Sequence, residues 1–259
     1  MRFAKTLWIL GLSASAVLAQ SVVGARAGTI QFTTGNVTVD GLPVQATEVH
    51  FPALNDGQML GTGRGRVEVL IAPEVFLRLG TRSAVRLRNT QLTSIEVEPI
   101  KGRALIEVVE TVKNDRIRVR FGETVTEFNG PGLYRFDADA GVLSVFGGKA
   151  EVRAGDQKAE AGRGVAVRLA NPPTTSKFNP NKGDALLKWA AARSFYLFAS
   201  SREARARQSH WEYTATGWFW NRNYGARFYS ATLAAGYRKR LEEEERNRAC
   251  ENAGACRPF

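Results

Sequence analysis

The stretch RVEVLIAPEVFLRLGTRSAVRL, residues 66–87, decides the class of this chain. Its apolar residues fall on every second position: Val67 and Val69, then Val75, Leu77 and Leu79, then Val85 and Leu87, with Arg78 and Arg86 on intervening ones. A strand turns successive side chains to opposite faces, so each piece reads as a half-buried β-strand. The same design returns in RIRVRF, residues 116–121, where Arg116, Arg118 and Arg120 share one face and Ile117, Val119 and Phe121 the other. A helix, with 3.6 residues per turn, would mix the two sets.

Outward from this stretch, a dozen or so short strands are predicted, separated by turn text such as Gly80-Thr81, Lys101-Gly102, Asn129-Gly130-Pro131-Gly132 and Gly147-Gly148. Near the start, Asp40-Gly41 between Val37-Thr38-Val39 and Leu42-Pro43-Val44 is a tight-hairpin signal, and Pro43 confines its return strand to a sheet edge. No helix interrupts the series, so residues 28–170 read as one mainly β domain. It is either an antiparallel two-sheet sandwich, jelly-roll-like, or a short flattened solenoid; the lack of an exact repeat period favours the sandwich. Residues 171–183, opening on Asn171-Pro172-Pro173, read as a linker. Residues 184–259 read as a helical and aromatic-rich basic tail. In it Asp184 caps a helix through Leu186, Leu187, Trp189 and Ala190 to Phe195, Leu197 and Phe198, which needs the β body to lie against. A second helix is expected over Leu233 to Arg248.

Residues 1–19 have a short basic start, an apolar stretch and a small-residue ending. That is the layout of a signal peptide, with cleavage after Ala19 or as late as Ala27. The apolar part is about half the roughly 20 residues that span a bilayer, so the mature protein is expected to be periplasmic or secreted, with at most peripheral membrane contact. The net charge of +11 falls to about +9 on cleavage, and residues 171–259 hold 15 Lys and Arg against 8 Asp and Glu. This balance favours acidic partners, an envelope protein or an anionic polymer, while export argues against nucleic acid. The only cysteines, Cys250 and Cys256, read in an oxidising compartment as a small disulfide loop, with single reactive thiols as the other possibility.

Motifs for catalysis are sparse. The two histidines, His50 and His210, lie near no serine elbow. Gly61-Thr62-Gly63-Arg64-Gly65 precedes an alternating strand instead of a helix, which makes it a glycine-rich turn and not a phosphate cradle. Asp137-Ala138-Asp139-Ala140-Gly141 has too few oxygen ligands for calcium and reads as a β-turn. Glu107 and Glu110 would fall on opposite faces of a strand. No catalytic residue, cofactor or metal site is therefore expected. The arginine rows Arg86 and Arg88, with Arg116, Arg118 and Arg120, are the candidate surface for an anionic partner, weighed against an ordinary solvated sheet face paired with Glu96, Glu98, Glu107 and Glu127. Trp211, Trp218, Trp220 and Tyr224 are a candidate aromatic contact, weighed against a role in covering the β body.

The order of features over residues 50 to 170 resembles a FecR-like domain, an envelope-side regulatory module. The carrying residues are Leu54-Asn55-Asp56-Gly57, Leu60-Gly61-Thr62-Gly63 and Arg66–Leu70. They continue through Lys101–Val108, Gly132-Leu133-Tyr134-Arg135-Phe136, Val145–Val152 and Ala161-Gly162-Arg163-Gly164. The tail, with Trp189 and Gly217–Gly225, resembles stand-alone exported FecR-like proteins. Regulators of that family carry a cytoplasmic anti-sigma segment and a membrane helix ahead of the module; neither is found here, which argues against direct control of a sigma factor. The resemblance implies a non-catalytic exported module that binds an envelope partner or polymer, in signalling or envelope assembly. The alternative is an envelope enzyme acting on an anionic polysaccharide, which would need a groove with two convergent carboxylates.

Overall fold

The computed structural model describes residues 27–47, 50–109 and 116–207. The first half holds β1 (Thr29–Thr34), β2 (Val37–Val39), β3 (Leu42–Pro43), β4 (Met59–Thr62), β5 (Arg66–Ala72), β6 (Val75–Leu79), β7 (Ala84–Asn89), β8 (Ile95–Lys101) and β9 (Arg103–Val108). The second holds β10 (Ile117–Phe121), β11 (Thr124–Phe128), β12 (Gly132–Asp137), β13 (Val142–Gly147), β14 (Lys149–Ala154), β15 (Gln157–Gly162), β16 (Val165–Arg168), β17 (Thr174–Lys177) and the helix α1 (Ala185–Arg207).

The strands form two sheets. The first runs β1-β5-β6-β9-β12-β13-β16-β17 and the second β15-β14-β11-β10-β8-β7-β4-β2-β3. In both, order in the sheet follows order in the chain, except at the terminal β2-β3 hairpin. A jelly roll would place strands distant in sequence side by side; here the chain passes back and forth between two sheets that grow in step. The fold is thus the flattened solenoid, and the jelly-roll arrangement is not formed. Because β9 belongs to the first sheet, β8 and β10 meet in the second as a parallel pair, with Ile117 opposite Ile95 and Val119 opposite Val97. The missing repeat period has the same origin: one, two or three strands join a given sheet at each pass.

The inner faces of the sheets share one core, in which Val67, Leu77, Ile106 and Phe136 of the first meet Val85, Val97, Val119 and Val152 of the second. Tyr134 joins the two layers. From β12 its hydroxyl donates to the carbonyl of Lys149 on β14 at 3.0 Å, and its ring lies 4.3 Å from that of Phe128. Burial raises its pKa to about 12. Only glycine fits at Gly132, where a Cβ would stand 2.2 Å from the Tyr134 hydroxyl, and at Gly148, where φ is +80° and a Cβ would stand 2.4 Å from the same oxygen. Two of the stretches that carry the family resemblance are thereby one packing unit.

A third layer corrects the expectation of half-buried strands. The outer face of the first sheet is covered by α1, whose Leu186, Leu187, Ala190 and Ala191 pack on Leu105, Leu133 and Phe146, and whose Leu197 packs on Leu70, Phe76 and Val109. Strands β5, β6 and β9 are consequently buried on both faces. Asp184 caps the helix as expected: its Oδ1 accepts from the Leu187 N–H at 2.9 Å. The segment read as a linker also differs. Its Thr174–Lys177 portion is strand β17, pairing antiparallel with β16, because four backbone partners on an open sheet edge outweigh a composition that reads as extended coil.

Candidate functional site

The arginine surface predicted from the sequence lies on the outer face of the second sheet, which no helix of the described residues covers. Alternation along each strand sends Val85 and Leu87 of β7 inward and Arg86 and Arg88 outward; on β8 it does the same for Ile95 and Val97 against Glu96 and Glu98. The register sets Arg86 opposite Glu98, Arg118 opposite Glu96 across the parallel pair, and Arg118 opposite Glu127 on β11. Arg116 is exposed at the entry to β10. The face is therefore a ladder of alternating sign and not a continuous cationic sheet: arginines on β7, glutamates on β8, arginines on β10, a glutamate on β11. Farther across, Glu151 pairs with Arg153 and, at 3.4 Å, with Lys158.

Within the ladder the acids lie low and the arginines reach over them. Glu96, 13% exposed, accepts from Arg120 at 2.8 Å and forms an ion pair with Arg88 at 3.1 Å; Glu98, 21% exposed, meets Arg88 at 3.2 Å and Arg86 at 4.0 Å. The hydrogen bond from Arg120, reinforced by the charges of Arg120, Arg118 and Arg88, holds the Glu96 carboxyl below its usual range. The same bond raises Arg120. Arg118 stands apart: it forms no side-chain hydrogen bond among the described residues, and its Nε is buried without a partner. A carboxylate arriving from solvent could take the guanidinium edges that the low-lying glutamates leave open.

Reading by sequence missed a second charged cluster. Arg78, expected on a solvated strand face, is fully buried beneath α1. Its Nε donates to Glu68 at 2.7 Å, its Nη1 donates to Glu107, and its Nη2 donates to Ser194 Oγ of the helix at 3.1 Å. Ser194 in turn donates to Glu107 at 2.6 Å, and Arg193 donates to the second oxygen of Glu68 at 2.8 Å. Burial alone would raise the Glu68 carboxyl, but the charges and hydrogen bonds of Arg78 and Arg193 outweigh it and hold it below its ordinary value. The cluster is buried between helix and sheet, with Arg193 at its margin 14% exposed. Its role is to seat the helix. The signal was present in Glu68, Arg78 and Glu107 at outward positions of three strands, but only the pairing of β5, β6 and β9 brings them into one row.

At the start of α1 lies a depression of about 550 Å³ lined by Arg66, Arg82, Arg103, Asp137, Asp139 and Asp184. Arg103 donates to Asp137 at 2.9 Å and to Asp184 at 3.2 Å, and Arg135 also reaches Asp184, at 3.1 Å. The hydrogen bond to Asp137 raises Arg103. Three arginines balance three aspartates, so the depression exerts little net pull on an ion. The Asp137–Gly141 stretch is the expected turn, with Ala140 N–H donating to Asp137 Oδ1 at 3.1 Å. His50 is exposed. Among the described residues no three His, Cys, Asp or Glu side chains gather as a metal-binding group, and no helix is long and apolar enough to cross a membrane. The signal peptide, His210, Trp211, Trp218, Trp220, Tyr224, Cys250, Cys256, Glu110 and the second helix lie outside the described residues.

No family model matches the sequence, and no curated protein does. Among solved structures, two crystal structures of a candidate anti-sigma factor from Parabacteroides distasonis are similar to it. One, at 2.50 Å resolution, is 18% identical and the other, at 1.65 Å, 15% identical, each with a TM-score of 0.40. Each match covers 52% of this chain and 64% of the solved one, so the chain spans less than two thirds of their length.

Proposed function

We propose that this protein is an exported, non-catalytic FecR-like module that binds an acidic partner or polymer of the cell envelope through the open face of its second sheet. The observation that carries the reading is the ladder itself: Arg86, Arg88, Arg116, Arg118 and Arg120 against the lower-lying Glu96, Glu98 and the neighbouring Glu127. Each guanidinium has five N–H donors and few are taken, so the face offers donors and asks for acceptors. The FecR-like reading is supported by the motif residues around Gly132, Tyr134 and Gly148, which pack as a unit.

A binding role is favoured over glycoside hydrolysis by how the acids are used. Glu68 and Glu107 both hold the buried Arg78, while Asp137 and Asp184 hold Arg103 and Arg135. A general acid needs a raised pKa, and arginine neighbours lower it. The test is retention of the mature protein on an immobilised heparin-like column. The wild type is expected to elute at higher salt than an Arg86→Gln/Arg88→Gln/Arg118→Gln/Arg120→Gln variant of unchanged circular dichroism. Equal elution would remove the surface from the reading.

A further inference from the structure

We infer that the occupant of this face is an extended acidic polypeptide segment with carboxylates on alternate residues, laid along β10. This rests on the reading just given and adds the class and geometry of the ligand. Three observations point to it.

The first is the unmatched hydrogen-bonding capacity of β10. Arg120 is bound to Glu96, but Arg118 has no hydrogen-bonded acid, its Nε is buried without a partner, and Arg116 is exposed with no ion pair among the described residues. A carboxylate entering over Arg118 would meet a guanidinium that carries no hydrogen-bonded acid of its own, with its terminal Nη groups as the donors. It could form the bidentate pair that arginine's planar fork favours and lysine's ammonium does not.

The second is spacing. Arg116, Arg118 and Arg120 sit on every other residue, and an extended strand repeats at about 6.6–6.8 Å per two residues. An extended peptide with Asp or Glu on alternate positions has the same repeat, so three carboxylates can meet three guanidiniums in register. A peptide with consecutive acids turns half of them away from the sheet.

The third is width. The neighbouring cations lie two strands away on either side, Arg86 and Arg88 beyond β8 and Arg153 beyond β11, about 9.6 Å off at the usual strand separation. Glu96 and Glu98 stand between the rows, and Glu127 flanks β10 on its other side. A broad polyanion lying across the strands would place part of its charge over these glutamates and bind less tightly. A slim chain running in single file along β10 would not.

The experiment uses the mature protein and fluorescence anisotropy with dye-labelled ten-residue peptides of equal charge. One has glutamates alternating with threonines, one has the same glutamates in a block, and a heparin oligosaccharide is the third probe. The alternating peptide is expected to bind at least about tenfold more tightly than the block peptide, in line with one charge-assisted bond gained. Arg118→Gln should lose about tenfold or more, and Arg118→Lys should not restore it. Arg153→Gln, two strands from β10 and tied to Glu151, should leave binding unchanged. Equal affinity for the two peptides, or no effect of Arg118→Gln, would overturn the inference. Binding of the oligosaccharide alone, abolished by the fourfold arginine variant, would overturn it while sparing the broader reading. Failure of all three probes would overturn both.

Discussion

The two outer faces of this molecule are written in the same residues and behave in opposite ways. On the first sheet, Arg78 and Glu68 are both 0% exposed under α1; on the second, Arg88 is 45% and Glu96 13% exposed. Each pair consists of an arginine and a glutamate on neighbouring antiparallel strands of a twisted sheet. The difference is the helix. Beneath it, water no longer competes for the charges, and every donor must find a protein acceptor. In the open, water and salt screen the pairs, so the arginines keep their capacity for a partner.

The contrast can be broken most forcefully at Arg78. Arg78→Met leaves Glu68 and Glu107 buried, with Arg193 and Ser194 as the remaining partners shown here, and should cost about 3–5 kcal/mol in urea unfolding. Replacing the row together, as Glu68→Leu/Arg78→Met/Glu107→Leu, should return most of that loss. If Arg78→Met unfolds at the wild-type midpoint, burial does not set the worth of the pair.

The next effect concerns the layer between the two faces. Tyr134 ionises at about 12 in the fold against 10.0 in a free chain, a raised value, so its contribution is complete below pH 10 and is lost as the pH rises toward 12. The loss should reach about 2–3 kcal/mol. Tyr134→Phe, less stable at neutral pH by about 1 kcal/mol, should lack this part of the alkaline decline. Parallel curves for the two proteins between pH 10 and 12 would count against the assignment.

Ser194→Ala removes the helix's hydrogen bonds to Arg78 and Glu107 and should cost about 1–2 kcal/mol. Amide exchange along α1 should accelerate more than exchange in β10 and β11. Uniform acceleration would mean that the helix and the β body open as one unit. The smallest effect belongs to the open face: Arg88→Gln should shift stability by under about 1 kcal/mol, checked by the same urea titration. A loss as large as that from Arg78→Met would erase the distinction between the faces.

Several features were legible in the chain. The Asp40-Gly41 hairpin is one: both residues have positive φ, 49° and 82°, and the return strand with Pro43 is the sheet edge. Asp184 as a cap is another. Arg118 and Arg120 were placed on a common outward face because alternation along one strand is a local property. The row of Glu68, Arg78 and Glu107 was not legible in this way. Those three lie on outward positions, the usual address of solvated charge, and nothing within ten residues of Arg78 announces a helix that begins at Ala185. The segment 171–183 misled for a related reason, since an edge strand such as β17 is held by its neighbour's backbone and needs no apolar pattern of its own.

Period-two patterning made the chain a stack of short strands with one apolar side each, and short-range turn chemistry fixed where many of them reverse; neither needs a distant contact. Which sheet each strand joins depends on partner strands elsewhere in the chain, and which of two charged faces loses its water to α1 depends on residues more than a hundred positions apart, as Ser194 and Arg78 are. Desolvation is a property of the assembled layers, and it alone turned the Glu68–Arg78–Glu107 row into an internal fastening and left the arginines of the other sheet facing solvent.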